Sequence, residues 1–221
     1  MSIRQNLEKI RQEIPDNVTL VAVSKTMPVS AIREAYDTGQ RHFGENRVQE
    51  LILKQPQLPD DILWHMIGHL QTNKVKYIIS FVHLIHSVDS WKLMQVIDRE
   101  AGKLHKIQDC LFEMHIAEEE SKFGFAYEEL LDILREEEWK NLQNIRWRGV
   151  MGMATFTDDI PRVKREFGKL KEIFHTLSRD FFMQEDNFSE ISMGMSGDYQ
   201  AAIAEGSTIV RIGTKIFGTR H

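Results

Sequence analysis

Short apolar runs alternate along this chain with longer stretches in which apolar residues recur every three or four positions. The runs are Thr19 to Ser24, Arg41 to Gly44, Trp64 to Ile67, Leu84 to Val88, Asp109 to Ile116, Arg146 to Met151, Glu190 to Gly194 and Thr208 to Ile212. Runs this short and continuous mark strands buried on both faces, as parallel sheets require. Between them the spacing turns helical. Ile32, Ala35 and Tyr36 share one helix face, as do Leu93, Val96 and Ile97, and the long stretch from Pro161 to Phe182 follows the same period. Ahead of the first run, Ser2 to Ile14 predicts an extra helix, capped by Ser2 and stopped by Pro15.

Strand and helix alternating eight times over short connections predict a parallel (β/α)8 barrel of the TIM type, preceded by that helix. A doubly wound open sheet is the alternative, but no GxGxxG follows the first run. No Pro/Gly/Ser-rich linker and no solenoid repeat interrupts the chain, so residues 1–221 are expected to form one domain.

The net charge of -5 comes from 28 basic and 33 acidic residues, with the basic ones scattered rather than gathered into a stripe. Nucleic acid is not an expected partner on that pattern. Met1 to Asn6 lacks the apolar centre of a signal peptide, and nowhere do roughly 18 apolar residues run together. The protein is therefore expected in the cytoplasm, with no membrane partner. Cys110, the only cysteine, sits beside Leu111 and Phe112 and reads as a buried, inert thiol. The acidic clusters Glu118 to Glu120 and Glu136 to Glu138 read as solvated helix ends or loops. His65 and His69 are four apart, but Gly68 separates them and the glutamate of the zinc-protease helix motif is missing. His83 and His86 should face opposite sides of the fourth strand. No convergent set of metal ligands is expected.

Lys25 stands where the first strand should give way to a helix. A lysine beside so much apolar surface points to Schiff-base chemistry, because burial disfavours the charged amine and favours the nucleophilic one. The alternative is a lysine that simply opens toward solvent. Two further loops bear on the choice. Ser192 to Gly197 lies where the seventh strand gives way to a helix, and Arg211 to Thr214 where the eighth does the same. In a barrel these loops are neighbours on the rim that commonly holds a phosphate, where glycines admit the anion and the Ser196 and Thr214 hydroxyls add hydrogen bonds. Barrel closure would bring Lys25 beside them.

The segments VAVSKTMP (Val21 to Pro28), GQRHFGENRVQE (Gly39 to Glu50), WHMIGHLQTNK (Trp64 to Lys74), HSVDS (His86 to Ser90), EESKFGF (Glu119 to Phe125) and SMGMSGDYQAAIAEGSTIVRIGTKIFG (Ser192 to Gly218) resemble, in order and over nearly the whole chain, the pyridoxal 5'-phosphate homeostasis protein family. The resemblance implies a barrel of the alanine racemase N-terminal type with pyridoxal 5'-phosphate held as an internal aldimine on Lys25. It implies that Asn46 lies near the cofactor ring, that Ser196, Gly213 and Thr214 hold the phosphate with Met195 beside them, and that Arg211 faces the pyridine nitrogen. His115 stands where the family often has asparagine, and Ala154 to Phe156 depart from its usual wording.

An arginine can only donate, so facing the ring nitrogen it favours the unprotonated ring, a weaker electron sink. Without the resemblance, Arg211 reads equally well as an exposed salt-bridge partner at a strand end. Racemases and decarboxylases that share the barrel carry a second domain, which is not expected in a chain ending at His221, and the sequence assigns no facing acid or base. The expected function is vitamin B6 homeostasis: a non-catalytic protein that captures the cofactor and releases it by transimination, with apo-enzymes as further partners and a monomer or weak dimer as its state. A pyridoxal-phosphate amino-acid racemase and a Schiff-base aldolase acting on a sugar phosphate are the competing readings.

Overall fold

Every apolar run forms a strand, and parallel pairing carries them round into a closed barrel, as shown by a computed structural model that describes residues 2–118 and 123–218. In chain order the strands are β1 (Thr19–Val23), β2 (His42–Glu45), β3 (Leu63–Met66), β4 (Val82–Val88), β5 (Gln108–Met114), β6 (Ile145–Gly152), β7 (Glu190–Ser192) and β8 (Ile209–Ile212). The helices among the described residues are α1 (Ile3–Glu13), α2 (Val29–Tyr36), α3 (Val48–Lys54), α4 (Trp91–Gly102), α5 (Tyr127–Arg135), α6 (Ile160–Asp180), α7 (Tyr199–Ala204) and α8 (Thr214–Phe217). The expected (β/α)8 order is thus present with one substitution: the crossover from β3 to β4 is a 3-10 helix, Thr72–Tyr77.

Two apolar layers hold the barrel. Val21, Leu84, Leu111, Met151 and Ile209 form a small cluster of buried residues drawn from β1, β4, β5, β6 and β8. A larger layer, including Phe43, Trp64, Phe112 and Phe167, seals strands against helices. The N-terminal helix is capped as Ser2 predicts. The Ser2 hydroxyl accepts from the Gln5 backbone N–H at 3.3 Å, while the Gln5 side chain accepts from the Ser2 N–H at 3.0 Å. Asn6 then donates to the Ile216 carbonyl at 2.9 Å, and the Tyr199 hydroxyl donates to Glu13, so α1 is tied to α7 and α8.

Strand ends depart from the apolar runs where the backbone turns away. β5 stops at Met114 rather than Ile116, and β7 stops at Ser192, before Gly194, which adopts a left-handed φ of 95°. A larger difference lies in β4. Trp64 pairs with Val82 while the next residue, His65, pairs with Leu84, so His83 is an extra residue in the ladder. Such a bulge re-aims its side chain. His83 and His86 therefore do not face opposite ways as their spacing suggested: both rings lie against His65, with centroids 5.4 and 5.1 Å from it. Cys110 is buried as expected, and burial pushes its thiol well above the usual range. Glu119 and Glu120 lie outside the described residues. Glu118 bonds α6 through Arg162 at 3.2 Å, and Glu137 pairs with Lys140 at the surface. Among the described residues no helix is long and apolar enough to cross a membrane.

Candidate functional site

Lys25 lies two residues past β1, on a half-buried turn, and the residues around it are fixed by a cluster of charges rather than by packing alone. The Ser24 N–H donates to the Gly44 carbonyl at 3.0 Å, and the Ser24 hydroxyl donates to Glu45 at 2.7 Å. Lys54, at the end of α3 and only 7% exposed, donates to the Ser24 carbonyl at 3.0 Å and to Glu45 and Glu50 at 2.8 Å each. Thr26 holds a left-handed φ of 66°, and Glu50 secures it by accepting its N–H at 2.6 Å. Burial raises the Glu45 carboxyl from its ordinary value, and the Lys54 ammonium opposes that rise. The turn that carries Lys25 is thus clamped on both sides.

Asn46 follows β2, whose Gly44 pairs with Val23 of β1, so Lys25 and Asn46 leave adjacent strands at the same end of the barrel. Its side-chain carbonyl oxygen is buried and has no hydrogen-bond partner among the described residues. Gly68 lets the Asn46 backbone pass close by: a Cβ there would come within 2.5 Å of the Asn46 backbone carbonyl oxygen.

Arg211 is 4% exposed, so the reading of it as an exposed surface partner is overturned. Its guanidinium donates to the Ser192 carbonyl at 2.8 Å, the Ser192 hydroxyl at 2.5 Å and the Gly152 carbonyl at 3.1 Å. Burial lowers it to about 10, with Glu113 and Asp198 opposing the shift, and it stays charged at neutral pH. The two loops beyond β7 and β8 meet directly, because the Ser196 hydroxyl accepts the Gly213 N–H at 3.2 Å. Met195 donates its N–H to Asp198, turning that loop into α7. Thr214, the first residue of α8, is exposed. The structure therefore brings Met195, Ser196, Arg211 and Gly213 together, and β1–β8 pairing puts Gly213, just past β8, next to Val23 at the end of the strand that leads to Lys25.

Sequence reasoning missed Glu113. It lies on β5, 5% exposed, with one carboxylate oxygen unpartnered, and burial together with the nearby Asp89 lifts its carboxyl from 4.5 to about 7, against the pull of Arg211. No local pattern marks it, since its neighbours Phe112 and Met114 read only as strand. An acid raised in the folded state keeps its proton where the unfolded chain has lost it, so stability is full below about pH 4.5 and falls as pH rises toward 7. Glu113→Gln is expected to remove that fall and to raise the stability of the cofactor-free protein at pH 8 by about 3 kcal/mol. Urea denaturation at pH 5 and pH 8 checks it, and equal gains at both would refute the assignment.

Two departures from family wording also find their places. His115 is half-buried, and its backbone N–H bonds the Phe125 carbonyl at 2.9 Å. Thr155 is locked to α6 by Glu166, which accepts both its N–H and its hydroxyl at 2.7 Å, while Phe156 is 95% exposed.

The alanine racemase N-terminal domain model matches residues 1–221. The pyridoxal phosphate homeostasis protein of Aquifex aeolicus is 42% identical over 202 residues, covering 91% of this chain and 86% of that one. PipY of Synechococcus elongatus, solved with PLP (pyridoxal phosphate) bound, superposes with a TM-score of 0.89 at 38% identity, covering 98% of this chain and all of that one. An alanine racemase of Clostridium difficile shares the fold with a TM-score of 0.79 at 16% identity, over 99% of this chain and 60% of its own.

Proposed function

The chain belongs to the pyridoxal phosphate homeostasis protein family, and on that premise we propose that it binds pyridoxal 5'-phosphate reversibly through Lys25, as a carrier of the cofactor inside the cell rather than an enzyme. The observation that carries this reading is the placement, across the β1–β8 seam, of a clamped turn bearing Lys25 and a glycine-bearing loop pair. Bound pyridoxal phosphate supplies an aldehyde that amines take up reversibly and a ring that withdraws electrons. The residues present fit it. Asn46 offers a buried, unpartnered oxygen, and Gly213 leaves open a space that a Cβ, 3.1 Å from the Val23 carbonyl oxygen, would crowd. Lys25 is the nucleophile for the aldehyde; the Ser196 and Thr214 hydroxyls are donors for the phosphate, with Met195 bordering them, and the Gly213 N–H joins them by exchanging its bond to Ser196 for one to the phosphate.

Arg211 carries the non-catalytic half of the proposal. Three hydrogen bonds to β6 and β7 fix a charged, donor-only group, which cannot take up a proton. Facing the ring nitrogen, it would leave that atom unprotonated and the ring a poor acceptor for a carbanion. One observation favours a racemase instead: Glu113, a buried carboxyl lifted to about 7, is an acid–base group close enough to Arg211 to feel its charge. Incubating the loaded protein with L- and D-amino acids in deuterated water separates the two. The expected result is no sustained change of chirality and no α-proton exchange. Multiple turnovers that vanish in Lys25→Ala would make the protein an enzyme.

The phosphate reading has its own measurement. Pyridoxal 5'-phosphate is expected to bind roughly 10- to 100-fold more tightly than pyridoxal, because hydrogen bonds to a charged group contribute about 1.5–3 kcal/mol. Gly213→Val is expected to erase most of that advantage. Equal affinity of the native protein for the two vitamers would remove the phosphate role from these loops.

A further inference from the structure

We propose that His42, His65 and His83 form a binding site for a divalent transition metal of the zinc class, toward the end of the barrel opposite the cofactor loops. The three side chains come from the adjacent strands β2, β3 and β4, and one ligand nitrogen from each lies within 4.8 Å of the other two. Their rings converge, with centroids 5.2 Å apart for His42 and His65, 6.0 Å for His42 and His83, and 5.4 Å for His65 and His83. The bulge that makes His83 an extra residue in β4 is what turns it into this group.

The surrounding contacts suit ligation. His42 Nδ1 lies 2.9 Å from His65 Nε2, so these two nitrogens already face one another and need only a small opening to share an ion at the usual zinc–nitrogen distance of about 2.0–2.1 Å. The other ring nitrogen of His65, Nδ1, lies 2.8 Å from His86 Nε2, and His86 Nδ1 lies 2.9 Å from the Ser192 hydroxyl. With Nδ1–H of His65 donating to His86, the Nε2 lone pair is released for a metal, an orienting contact that ligating histidines commonly make. Burial keeps all three imidazoles below their ordinary range, which leaves them in the neutral form that binds metal.

Access and charge are compatible with an ion. His65 is buried, His42 is half-buried and His83 is exposed, opening on a cleft of about 320 Å³ that also reaches Asp109. The cations near that cleft are already engaged: Arg146 with Asp109 at 2.6 Å, Arg148 with Glu190 at 3.4 Å, and Lys106 with the Ile79 and Val82 carbonyls at 2.8 Å each. Three imidazoles with a fourth position open to solvent suit zinc, cobalt, nickel or copper, and not the oxygen-seeking magnesium or calcium.

The test uses the whole, untagged protein, dialysed against a chelator and free of pyridoxal phosphate, so its outcome is independent of the carrier reading. Zn²⁺ is titrated in competition with a chromophoric chelator, and Co²⁺ is followed by its visible absorption. One equivalent of Zn²⁺ per chain is expected. His42→Ala and His83→Ala should each weaken it at least roughly 10- to 100-fold, the range for losing an orienting partner alone. His175→Ala, on the exposed side of α6, should change nothing. His83 is exposed, so its variant keeps the fold even if His42→Ala does not. Absence of stoichiometric binding, or binding that survives His83→Ala unchanged in a folded protein, overturns the site.

Discussion

Lys25→Ala is expected to abolish covalent retention of pyridoxal 5'-phosphate while leaving the barrel folded. The lysine lies on a turn past β1 rather than in the packed layers, and the bonds that fix the turn belong to Ser24, Thr26, Glu45, Glu50 and Lys54. Removing its amine takes away the proposed nucleophile and leaves the loops proposed to hold the phosphate in place, so binding becomes weak and fully dialysable. Borohydride treatment of the loaded native protein, followed by peptide mapping, should place the label on Lys25. A label on Lys74, or on Lys122, which lies outside the described residues, would move the chemistry elsewhere.

Lys54→Met is expected to be the most destabilising single change near the site, costing about 3–5 kcal/mol. The methionine fills similar space but leaves Glu45, which is fully buried, without its ion pair and with only the Ser24 hydroxyl as a donor. Glu45 would then rise further above its ordinary value, and a raised acid withdraws stability as pH climbs through its folded value. The loss should therefore be larger at pH 8 than at pH 5.5 in urea denaturation. Capture of the cofactor should slow as well, because Glu50 no longer has Lys54 to hold it against Thr26. A cost under about 1 kcal/mol at both pH values would show that the cluster does not set the turn.

The alternation of strand and helix was legible because each strand is buried on both faces and leaves an unbroken apolar run. Ser2 was legible as a cap because capping depends on a residue three positions away, not on the rest of the fold. The place of Lys25 and of the Ser196 and Gly213 loops at strand ends was legible for a related reason, since the strand boundaries follow from the same apolar runs. Lys54 was not. On α3 it has the spacing of any surface lysine, and only the approach of β1 and β2 buries it. Glu113 was hidden within a strand, and the convergence of His42, His65 and His83 depends on a bulge that one extra residue creates without any local signal.

The seam between β1 and β8 joins residues nearly the whole chain apart, from Thr19 with Ile209 to Ala22 with Ile212. Contacts so distant form late, since the intervening chain must be ordered before they can close. During synthesis on the ribosome, β1 therefore waits with an open edge until β8 has emerged. Lys25 stands on one side of that edge and the Ser196–Gly213 loop pair on the other, so on the proposed assignment no nascent intermediate owns a complete site. The vitamer then stabilises only the finished barrel. It should slow unfolding without hastening folding, and so act as a seal on completed molecules.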